Sequence, residues 1–175
     1  PSDYTIDTKG ATITFWNPFG AAIEASLAEL VDQFEQEYGI TVNMESKGSY
    51  DNLRKAIVGA ATSKKYPNVA LAYPDHMAEY VNSDIIIRLD SLFEHDSETT
   101  NSLKENVSLS INDFYKDYMT ENQLVEFKED GTGYTLGVPF NKSTEVMVYN
   151  KTFFDWASSI DSDIKVPSTW DELET

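Results

Sequence analysis

Cysteine is absent from the 175-residue sequence, which excludes disulfide bonds, thiolate metal sites and cysteine nucleophiles but leaves the compartment open. Basic residues are scarce, since 13 Lys and Arg stand against 30 Asp and Glu and give a net charge of -17 at pH 7. Such a charge repels phosphate backbones and anionic lipid head groups. We therefore expect neither nucleic-acid binding nor membrane binding through a basic patch.

Long apolar runs are also missing, because no stretch approaches the roughly 20 residues that span a bilayer. The sequence has the composition of a folded protein instead, with 41% hydrophobic and 13% aromatic residues. It begins at Pro1 without a signal peptide in view. We expect that any targeting sequence has been removed.

Catalytic patterns are sparse. The two histidines, His76 and His95, lie in unrelated contexts, and neither occurs in a metal-binding pattern. The sequence contains no GxSxG elbow, P-loop or GxGxxG motif. A pair of carboxylates for glycoside hydrolysis carries little weight in a chain with 30 acidic residues.

One stretch resembles a calcium loop in its spacing. Asp161, Asp163 and Glu172 occupy its first, third and twelfth positions. However, Val166 stands where the sixth position requires glycine, and Lys165 places a cation at the fifth. We interpret the match as coincidence and predict no metal site and no cofactor.

The first 75 residues alternate between strand-like and helix-like hydrophobic patterns. The predicted elements are a strand at 11–17, a helix over Ala21–Tyr38 ending at Gly39, a strand at 40–46, a helix capped by Asp51, and a strand at 68–73. Strands and helices that alternate with short loops are typical of right-handed crossovers in a parallel sheet. The sequence therefore predicts an α/β fold whose sheet is mainly parallel and flanked by helices.

The pattern is less regular in the second half of the chain. The further predictions are a helix at 75–82, an apolar segment at 85–89, a loop at 94–106, a helix at 111–119, a hairpin at 125–140, two strands around a polar turn at 138–150, an amphipathic segment at 153–157, and a helix that starts at the capping box Thr169–Glu172.

Loops that follow parallel strands are the expected place for a ligand, because they converge at one edge of the sheet. Three aromatic residues at this edge can stack on the apolar face of a sugar, while three polar residues can form hydrogen bonds with its hydroxyls. The aromatic residues are Trp16, Tyr50 and Tyr73, and the polar ones are Asn17, Ser49 and Asp75. For each aromatic residue, packing in the core is the alternative interpretation.

Three segments resemble a known family. They are GSYDNLRKAIVGAATSKKYPNVALAY, YTLGVPFNKSTEVMVYNKTFF and VPSTWDELE, and they resemble extracellular solute-binding proteins of family 1, the receptors that feed bacterial ABC importers. Within that family, the glycerol-3-phosphate-binding and maltose-binding receptors are the most similar. The resemblance implies a fold of the type II periplasmic-binding-protein class, in which two α/β lobes enclose a ligand in a cleft.

The resemblance also implies a division of this chain. Residues 1–141 would form lobe one, and residues 142–175 would contain the hinge crossing and the beginning of a truncated lobe two. The hinge would comprise Asn141, Lys142 and Thr144.

Two ligand contacts are carried over from the glycerol-3-phosphate receptors, a tyrosine at Tyr50 and a serine at Ser143. Their acidic ligand residue falls at Pro74 here, and the nearest acid is Asp75, one place later.

The expected function is therefore that of a non-enzymatic receptor, which captures a sugar, an oligosaccharide or a glycerophosphate-type solute and delivers it to an ABC permease. An extracellular or periplasmic location follows, with anchoring as a cell-surface lipoprotein. Two alternatives remain open at this stage: an α/β enzyme that acts on a carbohydrate or a phosphate ester with Asp75 and another carboxylate, and an adhesin or signalling module on the same fold.

The truncated second lobe carries a further expectation. Its apolar side chains would lack their partners, so the chain would fold back on lobe one or associate with another copy. These side chains are Val146, Met147, Val148, Tyr149, Phe153, Phe154 and Trp156.

Overall fold

The computed structural model describes residues 10–96 and 111–174. Its elements, in order, are β1 (Thr12–Asn17), α1 (Ala21–Tyr38), β2 (Thr41–Ser46), α2 (Tyr50–Ala61), β3 (Val69–Ala70), α3 (Pro74–Asn82), α4 (Asp90–Asp96), a 3-10 turn (Ile111–Asp113), α5 (Lys116–Glu121), α6 (Lys151–Ile160) and α7 (Trp170–Glu174). Contacts divide the chain into two compact units, residues 1–140 and residues 141–175. None of the helices in the described ranges is long and apolar enough to span a bilayer.

The three strands form a parallel sheet in the order β2-β1-β3. β1 is central and pairs with β2 along its whole length, from Thr12 opposite Thr41 to Asn17 opposite Ser46. The connection from β1 to β2 and the connection from β2 to β3 run in opposite directions across the sheet. Because both crossovers are right-handed, α1 and α2 lie on opposite faces of the sheet. The predicted α/β class with a parallel sheet is confirmed.

The first helix has the bounds that its periodicity predicts. It ends at Gly39, whose φ of 65° lies in the left-handed region that glycine adopts without strain. The Gly39 N–H donates to the Glu35 carbonyl at 2.9 Å. The Glu35 carboxylate in turn accepts the Val42 N–H at 2.6 Å, which connects the helix end to β2.

The core of the first unit lies where α2 packs against α3. Leu53 and Ile57 of α2, Met77 and Tyr80 of α3, and Leu136 are all buried. Each large apolar side chain buried in this way contributes about 1.5 to 3 kcal/mol to folding.

Two local predictions around α2 and β3 need correction. Ser49, not Asp51, caps α2, because its Oγ accepts the Asn52 N–H at 3.1 Å. β3 is limited to Val69–Ala70 rather than 68–73. At its start, the Asn68 side chain accepts a hydrogen bond from the Thr14 N–H in place of a regular ladder bond, and at its end the chain turns into α3.

The predicted hairpin over 125–140 is mostly absent. A single antiparallel bridge, between Phe127 and Gly133, closes its turn. Beyond the turn, the Thr135 carbonyl accepts the Leu89 N–H and the Leu136 N–H donates to the Asn122 carbonyl. Apart from Tyr134, whose N–H donates to the Glu126 carbonyl, the returning segment therefore bonds to segments from elsewhere in the fold, which the alternation of its own sequence does not reveal.

Two further predictions are only partly right. The helix at 111–119 is a 3-10 turn followed by α5, which begins at Lys116. Of the loop predicted over 94–106, residues 94–96 belong to α4 and the rest lie outside the described residues.

The second unit contains helices but not the strands predicted at 138–150. Residues 141–149 are exposed and lie in no helix or strand. None of the described strands pairs with this segment, so its alternation produces no sheet. α6 is capped by Asn150, whose Oδ1 accepts the Phe153 N–H at 3.0 Å.

The capping box before α7 forms in part. The Thr169 Oγ1 accepts the Glu172 N–H at 3.2 Å, as predicted, but the Glu172 carboxylate accepts hydrogen bonds from Ser168 rather than from Thr169.

Much of the predicted apolar patch is exposed in the second unit. The exposed fractions are 74% for Val146, 60% for Met147, 86% for Val148, 48% for Tyr149, 52% for Phe153 and 58% for Trp156. Phe154 is half-buried. Self-association through this surface stays a prediction.

Candidate functional site

The candidate site lies at the carboxyl edge of the parallel sheet in the first unit. The segments 17–20, 47–49 and 71–73 leave the three strands there and lead into α1, α2 and α3. α3 starts with Pro74, and no side chain caps it. The edge therefore presents loops and helix N-termini, the usual environment for a ligand of an α/β sheet.

Aromatic rings from these segments pack together. The rings of Tyr50 and Tyr73 stack with their centroids 4.1 Å apart and an interplanar angle of 29°. His76 lies 5.5 Å from Tyr73 and 6.5 Å from Tyr50, and Phe19 lies edge-on to Tyr50 at 6.2 Å. We call Phe19, Tyr50, Tyr73 and His76 the aromatic edge.

The two tyrosines differ in their access to solvent. Tyr73 is 49% exposed, whereas Tyr50 is half-buried. Burial, with a smaller contribution from Tyr73, raises the pKa of Tyr50 above its ordinary value. Its phenol therefore stays protonated at neutral pH and can both donate and accept a hydrogen bond.

Trp16, predicted as a stacking residue, has another neighbour in the structure. The Lys47 ammonium lies 3.7 Å from the centroid of its ring, and the same ammonium donates to Glu45 at 2.5 Å. Trp16 also packs against the buried core. Because Lys47 covers one face of the indole, this face is not open to a sugar.

Asn17 and Ser49 shape the loops at this edge. Asn17 is completely buried, and its Oδ1 accepts the Phe19 N–H at 2.9 Å. Its carbonyl accepts the Lys47 N–H at 2.8 Å, and within the described ranges its Nδ2 has no hydrogen-bond partner. With Ser49 capping α2, both side chains maintain the geometry that carries Tyr50.

Asp75 projects into solvent beside the aromatic edge. Its side chain is 80% exposed, and its carboxylate lies 4.0 Å from the Nε2 of His76. The structure thus brings Tyr50, Tyr73 and Asp75 together. Ser143 belongs to the second unit, where it is exposed within the segment that holds the predicted hinge residues Asn141, Lys142 and Thr144.

Cations near the aromatic edge are paired with acids. Arg54 donates to Glu79 at 2.7 Å and to Asp51 at 3.1 Å, and Lys55 lies 2.6 Å from Asp51. With Lys47 bound to Glu45, these basic groups are already neutralised. The edge therefore has little to offer a ligand with two negative charges.

The calcium-like stretch has a different bonding pattern. Glu172 accepts hydrogen bonds from the N–H and the hydroxyl of Ser168 and lies 3.4 Å from Lys165. These contacts lower its pKa from 4.5 to about 2. Within the ranges that the structure describes, no group of three or more histidine or acidic residues is placed to bind a metal ion.

Phe19 and His76 are parts of the edge that the sequence patterns did not single out as ligand residues. A lone histidine has no neighbour in sequence that reveals its role. The one available signal is its position three residues after Tyr73, which places it on the first turn of α3.

Comparison with known proteins gives a consistent result. A family model described as bacterial extracellular solute-binding protein matches residues 29–175. The sn-glycerol-3-phosphate-binding periplasmic protein UgpB of Yersinia enterocolitica is 27% identical over 163 residues, which cover 92% of this chain and 33% of that protein. UgpB of Yersinia pestis is also 27% identical, over 164 residues. The chain thus spans about a third of the length of the curated relatives it matches.

One solved structure shares the fold over most of this chain. CpMnBP1 with mannobiose bound has a TM-score of 0.51 and 13% identity, and the match covers 72% of this chain and 29% of that one. The maltose/maltodextrin-binding domain MalE from Bdellovibrio bacteriovorus, bound to maltotriose, has a TM-score of 0.44 and 22% identity over 50% of this chain and 24% of that one.

Proposed function

Since the chain belongs to the family of bacterial extracellular solute-binding proteins, we propose that it is part of the substrate-binding receptor of an ABC importer. The receptor captures a small polar solute at the aromatic edge and delivers it to a membrane permease. It acts outside the cell or in the periplasm, with a lipid anchor at the cell surface as its attachment.

The aromatic edge is the observation that carries this proposal. The 49% exposure of Tyr73 leaves part of its ring surface open to the apolar face of a sugar ring. The exposed Asp75 carboxylate beside it can accept hydrogen bonds from sugar hydroxyls. An aromatic surface beside a carboxylate at a sheet edge is suited to binding, and it needs no bond-breaking group.

Electrostatics favour a neutral saccharide over a glycerophosphate. A phosphate monoester carries about -1.5 to -2 charges at pH 7, and the cations nearest the edge, Lys47 and Arg54, are bound to carboxylates. The exposed Asp75 adds a repulsive charge. Although the curated relatives are named for sn-glycerol 3-phosphate, we propose that this chain prefers an uncharged sugar.

The segment that follows the first unit completes the proposal. Asn141, Lys142 and Thr144 act as a hinge, and Ser143 contributes a ligand contact when the whole receptor closes. The exposed, irregular backbone of residues 141–149 supports a role as a connection. The enzyme alternative, with Asp75 and another carboxylate as catalysts, lacks comparable support, because the family consists of solute-binding proteins.

Titration calorimetry on the complete gene product tests the function. The probes are mannobiose, maltotriose, sn-glycerol 3-phosphate and glycerophosphodiesters. We expect saturable binding of a neutral saccharide without turnover. Replacing Tyr73 by alanine should weaken that binding by about tenfold, because it removes a stacking surface.

Tyr115→Ala is the matched control, since Tyr115 is 81% exposed and lies outside the aromatic edge. It should leave affinity unchanged. Hydrolysis of a probe, or binding that Tyr73→Ala does not weaken, would contradict the proposal. Tight binding of sn-glycerol 3-phosphate alone would keep the receptor function and refute the preference for a neutral ligand.

A further inference from the structure

His76 lies within the candidate site rather than on an open surface. Its side chain is only 14% exposed, although it belongs to the first turn of a helix. It contacts the rings of Tyr50 and Tyr73 and lies 4.0 Å from the Asp75 carboxylate. It is thus positioned between the stacking surface and the exposed acid.

Apart from Asp75 and His76, the charged groups of α2 and α3 are paired with one another. α2 contributes Asp51, Arg54 and Lys55, which are bound to one another and, through Arg54, to Glu79 of α3. A charge on His76 would therefore act mainly on Asp75, the exposed acid beside it.

We propose that His76 is a positioning residue of the ligand site: it packs against the Tyr73 ring, and its protonation draws the Asp75 carboxylate away from a neutral saccharide and so weakens binding. This inference rests on the proposed function. Its physical basis is that histidine is the side chain whose charge changes between about pH 5 and 8.

Protonation changes what Asp75 can do. A neutral imidazole leaves the carboxylate available to accept sugar hydroxyls. An imidazolium attracts the carboxylate across the 4.0 Å separation and competes with the ligand for its oxygens. A pair exposed to this extent has a modest coupling, so affinity should fall by about threefold to fivefold in the acidic range.

The test is the pH dependence of saccharide affinity in the complete gene product. Mannobiose and maltotriose are suitable probes, because they carry no titratable group and any pH dependence then belongs to the protein. Between pH 7.5 and pH 5.0, the wild type should lose about threefold to fivefold in affinity. His76→Gln keeps hydrogen-bonding capacity without a titratable ring, and it should give a flat profile.

The chain's other histidine provides the control, because His95 is not one of the four residues that define the aromatic edge; His95→Gln should keep the wild-type profile. If His76→Gln misfolds, the C2 proton resonance of His76 in the wild type gives the same answer. By reciprocity, saccharide must move its titration midpoint to lower pH.

An identical pH profile in wild type and His76→Gln, or a resonance whose midpoint the saccharide leaves unchanged, would overturn the role of His76 while leaving the receptor function intact. Failure of every saccharide to bind the wild type at pH 7.5 would overturn both.

Discussion

Replacing Tyr80 by phenylalanine should stabilise the protein. Tyr80 is 5% exposed in the core between α2 and α3, and its hydroxyl has no hydrogen-bond partner among the residues that the structure describes. A buried hydroxyl without a partner costs about 1 to 3 kcal/mol. Because no second group is left unpaired when it is removed, we expect the free energy of unfolding to rise by about 1 kcal/mol.

Alkaline titration gives a second readout of the same group. Burial, with a smaller contribution from Glu79, raises the pKa of Tyr80 from 10.0 to about 12. A raised pKa means that the folded state holds the proton more tightly, so the associated stability is present below pH 10.0 and is lost as pH rises through about 12. The phenylalanine variant should lack this part of the alkaline loss.

Urea and thermal unfolding measure the change in stability, and ultraviolet titration measures the ionisation of the phenol. The melting temperature of Tyr80→Phe should rise by a few degrees, whereas Tyr115→Phe, at an exposed control position, should leave it unchanged. Tyr80→Ala should cost about 3 to 5 kcal/mol, because it leaves a cavity. If Tyr80→Phe destabilised the protein by 1 kcal/mol or more, the hydroxyl would have to be hydrogen-bonded and the reasoning would be wrong.

Two other predictions follow from the contacts of single residues. Gly133→Ala should lower the free energy of unfolding by at least about 2 kcal/mol, because a Cβ there would lie 1.7 Å from the Gln123 carbonyl oxygen. The control Gly59→Ala, on the open surface of α2, should instead raise it by about 0.5 to 1 kcal/mol. Equal effects of the two substitutions in thermal or urea unfolding would contradict the geometry. The lowered pKa of Glu172 predicts a contribution to stability that is present above pH 4.5 and lost as pH falls through about 2. A carboxyl NMR titration midpoint near 4.5, unchanged in Ser168→Ala, would refute it.

The first half of the fold follows from local patterns. The helix over Ala21–Tyr38 has a regular apolar spacing, and a glycine follows it at the C-cap, where the backbone adopts the left-handed conformation. Its bounds could therefore be predicted. β1 and β2 also lie where they were predicted, and the residues of β2 alternate between exposed and partly buried. In these elements, local preference and tertiary packing agree.

The irregular half could not be predicted from alternation alone. A strand needs a partner, and the apolar run at 146–148 is exposed and pairs with none of the described strands. The segment after Tyr134 has partners, but they come from residues 89 and 122, outside the predicted hairpin. Apolar periodicity shows which face is hydrophobic without showing which segment covers it.

The candidate site was predictable in position rather than in detail. Strand ends identified Tyr50, Tyr73 and Asp75, and the structure places these residues at one edge. The same reasoning did not show that Lys47 covers Trp16, since that contact depends on the direction of side chains from two strands. His76 joins the cluster only after α2 and α3 pack together.

Hydrogen–deuterium exchange of the complete gene product, with and without the best-bound neutral saccharide, tests the central claim most directly. Binding at the aromatic edge should slow exchange in the segments 17–20, 47–50 and 71–76, which carry its residues. Exchange in the rest of the first unit, for example in the C-terminal turns of α1, should be unchanged. Protection confined to regions away from these three segments would contradict the account.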